Sequence, residues 1–135
     1  MAVRVVQLGS RRQPGEGLRV GTVRRVPRGV PKGQWGKRDF FDLWLPELAP
    51  SAGLVKFAYA EPWTERRWTT YARRYLAEMR RPAARRLLAL LAALSHGADF
   101  SVGCYCENPR RCHRSLLRDL LVEHGAAVPR GGDFA

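Results

Sequence analysis

The chain has 135 residues, and its 24 Lys and Arg against 12 Asp and Glu leave a formal net charge of +12. That length suits one compact α/β-sized domain, which buries roughly two-thirds of the surface its unfolded chain exposes, and it excludes a second full domain. Hydrophobic residues at 45% with four Trp supply a core and exclude wholesale disorder, while the longest apolar run, Leu87 to Leu94, is far short of the ~20 residues of a membrane span.

In chain order, Val3 to Leu8 predicts a first strand closed by Gly9-Ser10, and Leu18 to Val23 a second, with Pro14-Gly15-Glu16-Gly17 as the turn between them. Val26-Pro27-Arg28-Gly29-Val30-Pro31-Lys32 predicts a shaped basic loop, because each proline fixes its own φ and pushes the residue before it out of the helical region. Phe40 to Leu45 predicts a short strand, and Ala49-Pro50-Ser51 leads into a short helix over Leu54 to Ala60. Thr64 predicts the N-cap of a helix reaching Arg80, with Trp68, Tyr71, Tyr75 and Met79 on one apolar face. Pro82 starts a Leu-rich helix to Ser95 that Gly97 ends, and Phe100 to Cys106 predicts an apolar strand. Asn108-Pro109 predicts the cap and first residue of a last helix, ending near His124, and Pro129 to Ala135 predicts a frayed tail. Strands alternating with helices imply a single layered α/β domain, residues 1–135, with a mostly parallel sheet flanked by helices.

Charge is uneven along this order. Residues 1–38 carry ten basic side chains against Glu16, residues 39–61 are net −3, residues 62–86 net +6, and the remainder is neutral. The pairs Arg66/Arg67, Arg73/Arg74 and Arg80/Arg81 recur every seven residues and stack as a basic stripe on their helix. Such a stripe reads as a solvated flank or as a surface that tracks nucleic-acid phosphates. Of the 24 cations 21 are Arg, a bias that a GC-rich genome also produces, so the charge alone does not select a partner.

The chemistry concentrates in Cys104-Tyr105-Cys106-Glu107-Asn108-Pro109-Arg110-Arg111-Cys112-His113-Arg114, which spans a strand end, a loop and a helix start. Ligands in open α/β folds bind at the carboxyl ends of strands, and helix amino termini attract anions and depress thiol pKa values. Four readings fit these residues. Cys112, at helical spacing from Leu116 and Leu120, can be an inert core thiol, with Cys104 and Cys106 sharing one strand face. Cys104, Cys106, Cys112 and His113 can be zinc ligands in the order C-x-C-x5-C-H, although adjacent Cys112 and His113 would point about 100° apart on a helix. Cys104 and Arg110 have the spacing of a C-x5-R thiolate phosphatase loop, without its glycines. Finally, His113 and Arg114 can form a non-thiol anion site, with Arg as a planar fork and His as a proton carrier.

Together with Arg19-Val20, Arg24, Pro27-Arg28-Gly29, Lys32, Trp44, Leu48-Ala49-Pro50-Ser51, Trp68, Tyr75 and Glu78-Met79, the residues Cys104 and Cys112-His113-Arg114 resemble the bacterial domain-of-unknown-function 488 family. Many members carry Trp where this chain has Val26, and Glu where it has Cys106. The resemblance implies one cytoplasmic α/β domain with the Cys-His-Arg signature at the last strand-to-helix junction, and it brings no established reaction.

The combined expectation is an anion pocket between the basic loop, with Arg24, Arg28 and Lys32, and the last helix start, with Cys112, His113 and Arg114 as its reactive end. The expected ligand is a small phosphorylated or nucleotide-like molecule, with a nucleic-acid-binding module or a small zinc-binding module as alternatives. The favoured reading takes no cofactor and assigns no metal ligand. The arginines that interrupt and follow the first apolar stretch predict no secretory signal, and the expected location is a reducing cytoplasm away from the membrane.

Overall fold

The computed structural model describes residues 1–60, 63–106 and 112–129. Four strands, β1 (Val3–Gln7), β2 (Leu18–Gly21), β3 (Leu43–Trp44) and β4 (Phe100–Cys104), form one sheet in the order β1-β4-β2-β3, and every pairing is parallel. Among the described residues four α-helices accompany it: α1 (Ala52–Tyr59), α2 (Glu65–Glu78), α3 (Pro82–Leu94) and α4 (His113–Glu123). This is the layered α/β arrangement expected of strands that alternate with helices.

β4 is one of the two interior strands, beside β2. It pairs with β1 through Val5↔Val102 and with β2 through Val20↔Val102, and all five of its residues are buried. Gly103 lets β1 approach closely, since a Cβ there would stand 2.4 Å from the main-chain oxygen of Val6. The larger core joins Val3, Val5, Val20, Phe100 and Val102 to Tyr71, Tyr75, Leu88, Leu117 and Leu121 of the helices. A smaller cluster holds Val6, Leu8, Val23 and Phe41 against Cys104 and Cys112.

Local signals account for the helix boundaries. Ser51 caps α1 by accepting from the Leu54 N–H, and its own N–H and hydroxyl donate to Glu78, which ties α1 to the end of α2. Thr64 caps α2 by accepting from the Arg67 N–H at 3.2 Å. Pro82 is the first residue of α3, where its missing N–H costs no intrahelical bond.

Several boundaries differ from the sequence expectation, four of them with a visible cause. The strand expected over Phe40 to Leu45 is two residues long, because Phe41 turns inward over Gly21 and is fully buried there. β2 ends at Gly21, so Thr22 instead bonds the Gly103 carbonyl through both its N–H and its hydroxyl. β4 ends at Cys104, which leaves Cys106 beyond the sheet. Cys112 is not helical: its extended backbone (φ −135°, ψ 154°) makes it the N-cap of α4, and the inward face of α4 runs through His113, Leu117 and Leu121 in place of Cys112, Leu116 and Leu120. The expected cap at Asn108-Pro109 lies outside the described residues.

Several arginines are structural. Arg19 is 1% exposed and its guanidinium meets Glu16, itself 2% exposed, while also donating to the carbonyls of Ser10 and Asp39. Burying a charge is tolerable here because both partners are paired and hydrogen-bonded. Burial alone would raise the Glu16 carboxyl, but hydrogen bonds from Arg19 and the Gln13 N–H and the Arg19 charge hold it below its usual value. Among the described residues no helix is long and apolar enough to cross a membrane.

Candidate functional site

The carboxyl ends of β2 and β4 open into a cleft of about 670 Å³. Val23, Arg24 and Arg25 come from the end of β2, Cys104, Tyr105 and Cys106 from the end of β4, and Cys112 and His113 from the start of α4. Pro50, Ala52, Gly53, Val55, Lys56, Ala58 and Tyr59 form the α1 side, and Trp63 and Tyr71 close the aromatic wall. Trp63 packs edge-on against Trp68 and Tyr71, and Trp68 stacks on Tyr71 with centroids 5.7 Å apart. Parallel topology thus brings the cysteine-bearing segment to the strand ends, the customary ligand site of such sheets.

Three sulfurs meet at the floor. The Sγ atoms of Cys104, Cys106 and Cys112 all lie within 4.8 Å of one another, with Cys104 and Cys112 buried and Cys106 partly exposed. Hydrogen bonds from Cys104 and then Cys112 hold the Cys106 thiol well below its ordinary pKa against the opposing effect of burial, and the nearby Arg114 charge adds to this. Burial pushes Cys104 and Cys112 upward.

His113 is fixed beside them. Its Nε2 donates to the Thr22 carbonyl at 2.7 Å, so the neutral ring leaves Nδ1 as an acceptor, and Nδ1 stands 3.6 Å from Cys112 Sγ. Burial pushes its pKa down to about 4, which keeps the ring neutral at pH 7. Because Cys112 precedes the helix, the 100° divergence expected for adjacent helical residues does not apply.

The other predicted residues fall into three groups. Arg24 lines the cleft, but its guanidinium donates to the carbonyls of Pro46, Ala49 and Pro50, clamping the turn before α1. Arg28 and Lys32 are exposed on the basic loop and are not among the residues lining the cleft. Arg114 is 2% exposed, behind the floor, where Nη2 donates to the Cys106 carbonyl at 2.7 Å. In the α2 stripe, Arg67 turns inward, with its guanidinium 4.0 Å from the Phe57 ring and bonded to the Phe57 carbonyl, while Arg66, Arg73, Arg80 and Arg81 are exposed. Sequence reasoning did not single out Arg25, Lys56, Tyr59 or Trp63 for the site. They converge only once α1 is placed against the strand ends, and no spacing between them signals it.

Fold and site together define a small α/β protein with a thiol- and imidazole-floored cleft at its strand ends. The sequence model of the Active DUF488-N3 subclade matches residues 3–125, and the chain belongs to this family. No curated protein and no solved structure matches it.

Proposed function

We propose that the cleft binds a small phosphorylated, nucleotide-like molecule and presents its reacting end to the Cys-His floor. The observation that carries this reading is the composition of the cleft wall: Tyr59, Trp63, Tyr71 and Tyr105 offer aromatic surface, Arg25 and Lys56 are exposed cations, and none of the described lining residues is a carboxylate. A volume of about 670 Å³ falls within the 300–1,000 Å³ range typical of small-molecule sites. Aromatic faces suit a planar base, and Arg and Lys supply donors for phosphate oxygens. Anchoring at the Arg25/Lys56 side leaves Cys106, Cys112 and His113 to face the rest of the ligand.

Calorimetric titration with nucleoside monophosphates and the matching neutral nucleosides tests the reading. Phosphorylated ligands are expected to bind more tightly, and Arg25→Ala and Lys56→Ala each to weaken them about 5- to 10-fold, the scale of one exposed charge-assisted contact. Equal affinity for charged and neutral forms, or no binding at millimolar concentration, would overturn it. Salt-steep binding to duplex DNA in place of nucleotides would transfer the polyanion reading to the exposed α2 arginines.

A further inference from the structure

We propose that Cys104, Cys106, Cys112 and His113 form a four-donor site for a borderline-soft divalent metal of the zinc class. Zinc–sulfur and zinc–nitrogen bonds of about 2.3 and 2.0 Å at tetrahedral angles place sulfurs about 3.8 Å apart and a nitrogen about 3.5 Å from a sulfur. The three Sγ atoms already lie within 4.8 Å of one another, and His113 Nδ1 is 3.6 Å from Cys112 Sγ. The sulfurs need draw together by no more than about 1 Å to reach the tetrahedral spacing.

The surroundings match what a metal-bound imidazole needs. A ligating His characteristically donates its second ring nitrogen to a carbonyl or carboxylate, which fixes the tautomer and aims the lone pair. His113 does this through Nε2 to Thr22, with the ring held against Tyr75 at a centroid distance of 5.4 Å. The main-chain carbonyl of Cys106 is held by Arg114, so the loop residue bearing the third sulfur is also anchored from outside the donor set. Three sulfurs and one imidazole nitrogen select zinc over magnesium, calcium or manganese, which prefer oxygen. Binding takes all three sulfurs as thiolates, so those still protonated at the loading pH release their protons to solvent. The closed set joins the end of β4 to the start of α4, giving the cleft a rigid floor.

This inference stands on the donor geometry and does not require the nucleotide reading. Metal analysis of the full chain, freed of metal with a chelator and reloaded with stoichiometric zinc, is expected to give one zinc per chain. That zinc should protect the three thiols from a thiol-alkylating reagent. Cobalt(II) in its place should show thiolate-to-cobalt charge-transfer absorption. Cys106→Ser, at a partly exposed position outside the strand, should reduce that absorption and weaken zinc more than 10-fold. His113→Gln, which retains a donor for Thr22, should keep the charge-transfer signal but weaken zinc about 10- to 100-fold. Thiols equally reactive with and without zinc, or variants that bind zinc as tightly as the parent, would overturn the site. Nucleotide binding by the metal-free protein in that event would leave the cleft reading intact, while zinc binding without nucleotide binding would remove only the latter.

Discussion

His113 Nε2 and the main-chain oxygen of Thr22 are 2.7 Å apart, and this one bond ties the start of α4 to the residue after β2. His113→Ala would empty the space beside Tyr75 and leave a buried carbonyl without its donor. The expected cost is about 2–4 kcal/mol, combining cavity and unsatisfied-acceptor effects. A urea midpoint lowered at constant slope would show it; an unchanged midpoint would mean that the bond contributes nothing to stability.

Arg24 supplies a second test, because it looks like a ligand residue and acts as a clamp. Its bonds to Pro46, Ala49 and Pro50 hold the turn that leads into α1. Arg24→Ala should destabilise the fold by about 2–3 kcal/mol, and Arg24→Lys should recover little, since an ammonium cannot span three carbonyls as a planar fork does. Full recovery by Lys in thermal unfolding would refute the clamp.

The buried Glu16–Arg19 pair gives a signed pH dependence. Glu16 has a depressed folded-state pKa, so the unfolded chain binds more protons than the folded one as pH falls below about 4.5. Its stabilisation is therefore complete above that pH and is lost as pH falls through the folded value. Glu16→Gln should cost about 3 kcal/mol at pH 7 by leaving Arg19 without its counter-charge, and its stability should fall less steeply in acid. Parallel acid limbs for parent and variant, measured by denaturant titration from pH 6 to pH 3, would contradict this.

Gly103 should tolerate no side chain. A Cβ would meet the Val6 oxygen at 2.4 Å in the β1–β4 ladder, and neither backbone can yield without breaking register. Gly103→Ala is expected to cost about 1–3 kcal/mol or to prevent folding, whereas Gly53→Ala, with nothing within 4 Å, should fold normally. Soluble yield and thermal midpoint compare the two directly.

How much of this was visible in the sequence depended on how local its cause was. The apolar stretches at Val3 and Leu18, the Thr64 cap and Pro82 carry short-range signals, and each marks an element start. The aromatic face of α2 was equally plain: Tyr71, Tyr75 and Met79 are buried with Trp68 beside them. Arg19, Arg24 and Arg114 were opaque because guanidinium groups are ordinarily exposed, and their carbonyl and carboxylate partners lie far away or across a turn. Cys112 misled for a different reason. Its spacing from Leu116 and Leu120 imitates a helix face, yet the chain turns into α4 only after it. The convergence of three sulfurs was legible as a cluster in sequence, but its fit to a metal required the extended Cys112 backbone and the anchored His113 ring.

The interior place of β4 sets a timetable for folding. Val102 is the neighbour of both Val5 and Val20, so β1 and β2 have no common partner until the last strand is made. At 5–20 residues per second, translation from the end of β2 to the end of β4 takes roughly 4–17 s. Over that interval β1 has no strand partner, and β2 has only the two-residue β3 beside it. Assembly is then a late insertion of one strand between two waiting ones, a route on which non-local pairing limits the rate.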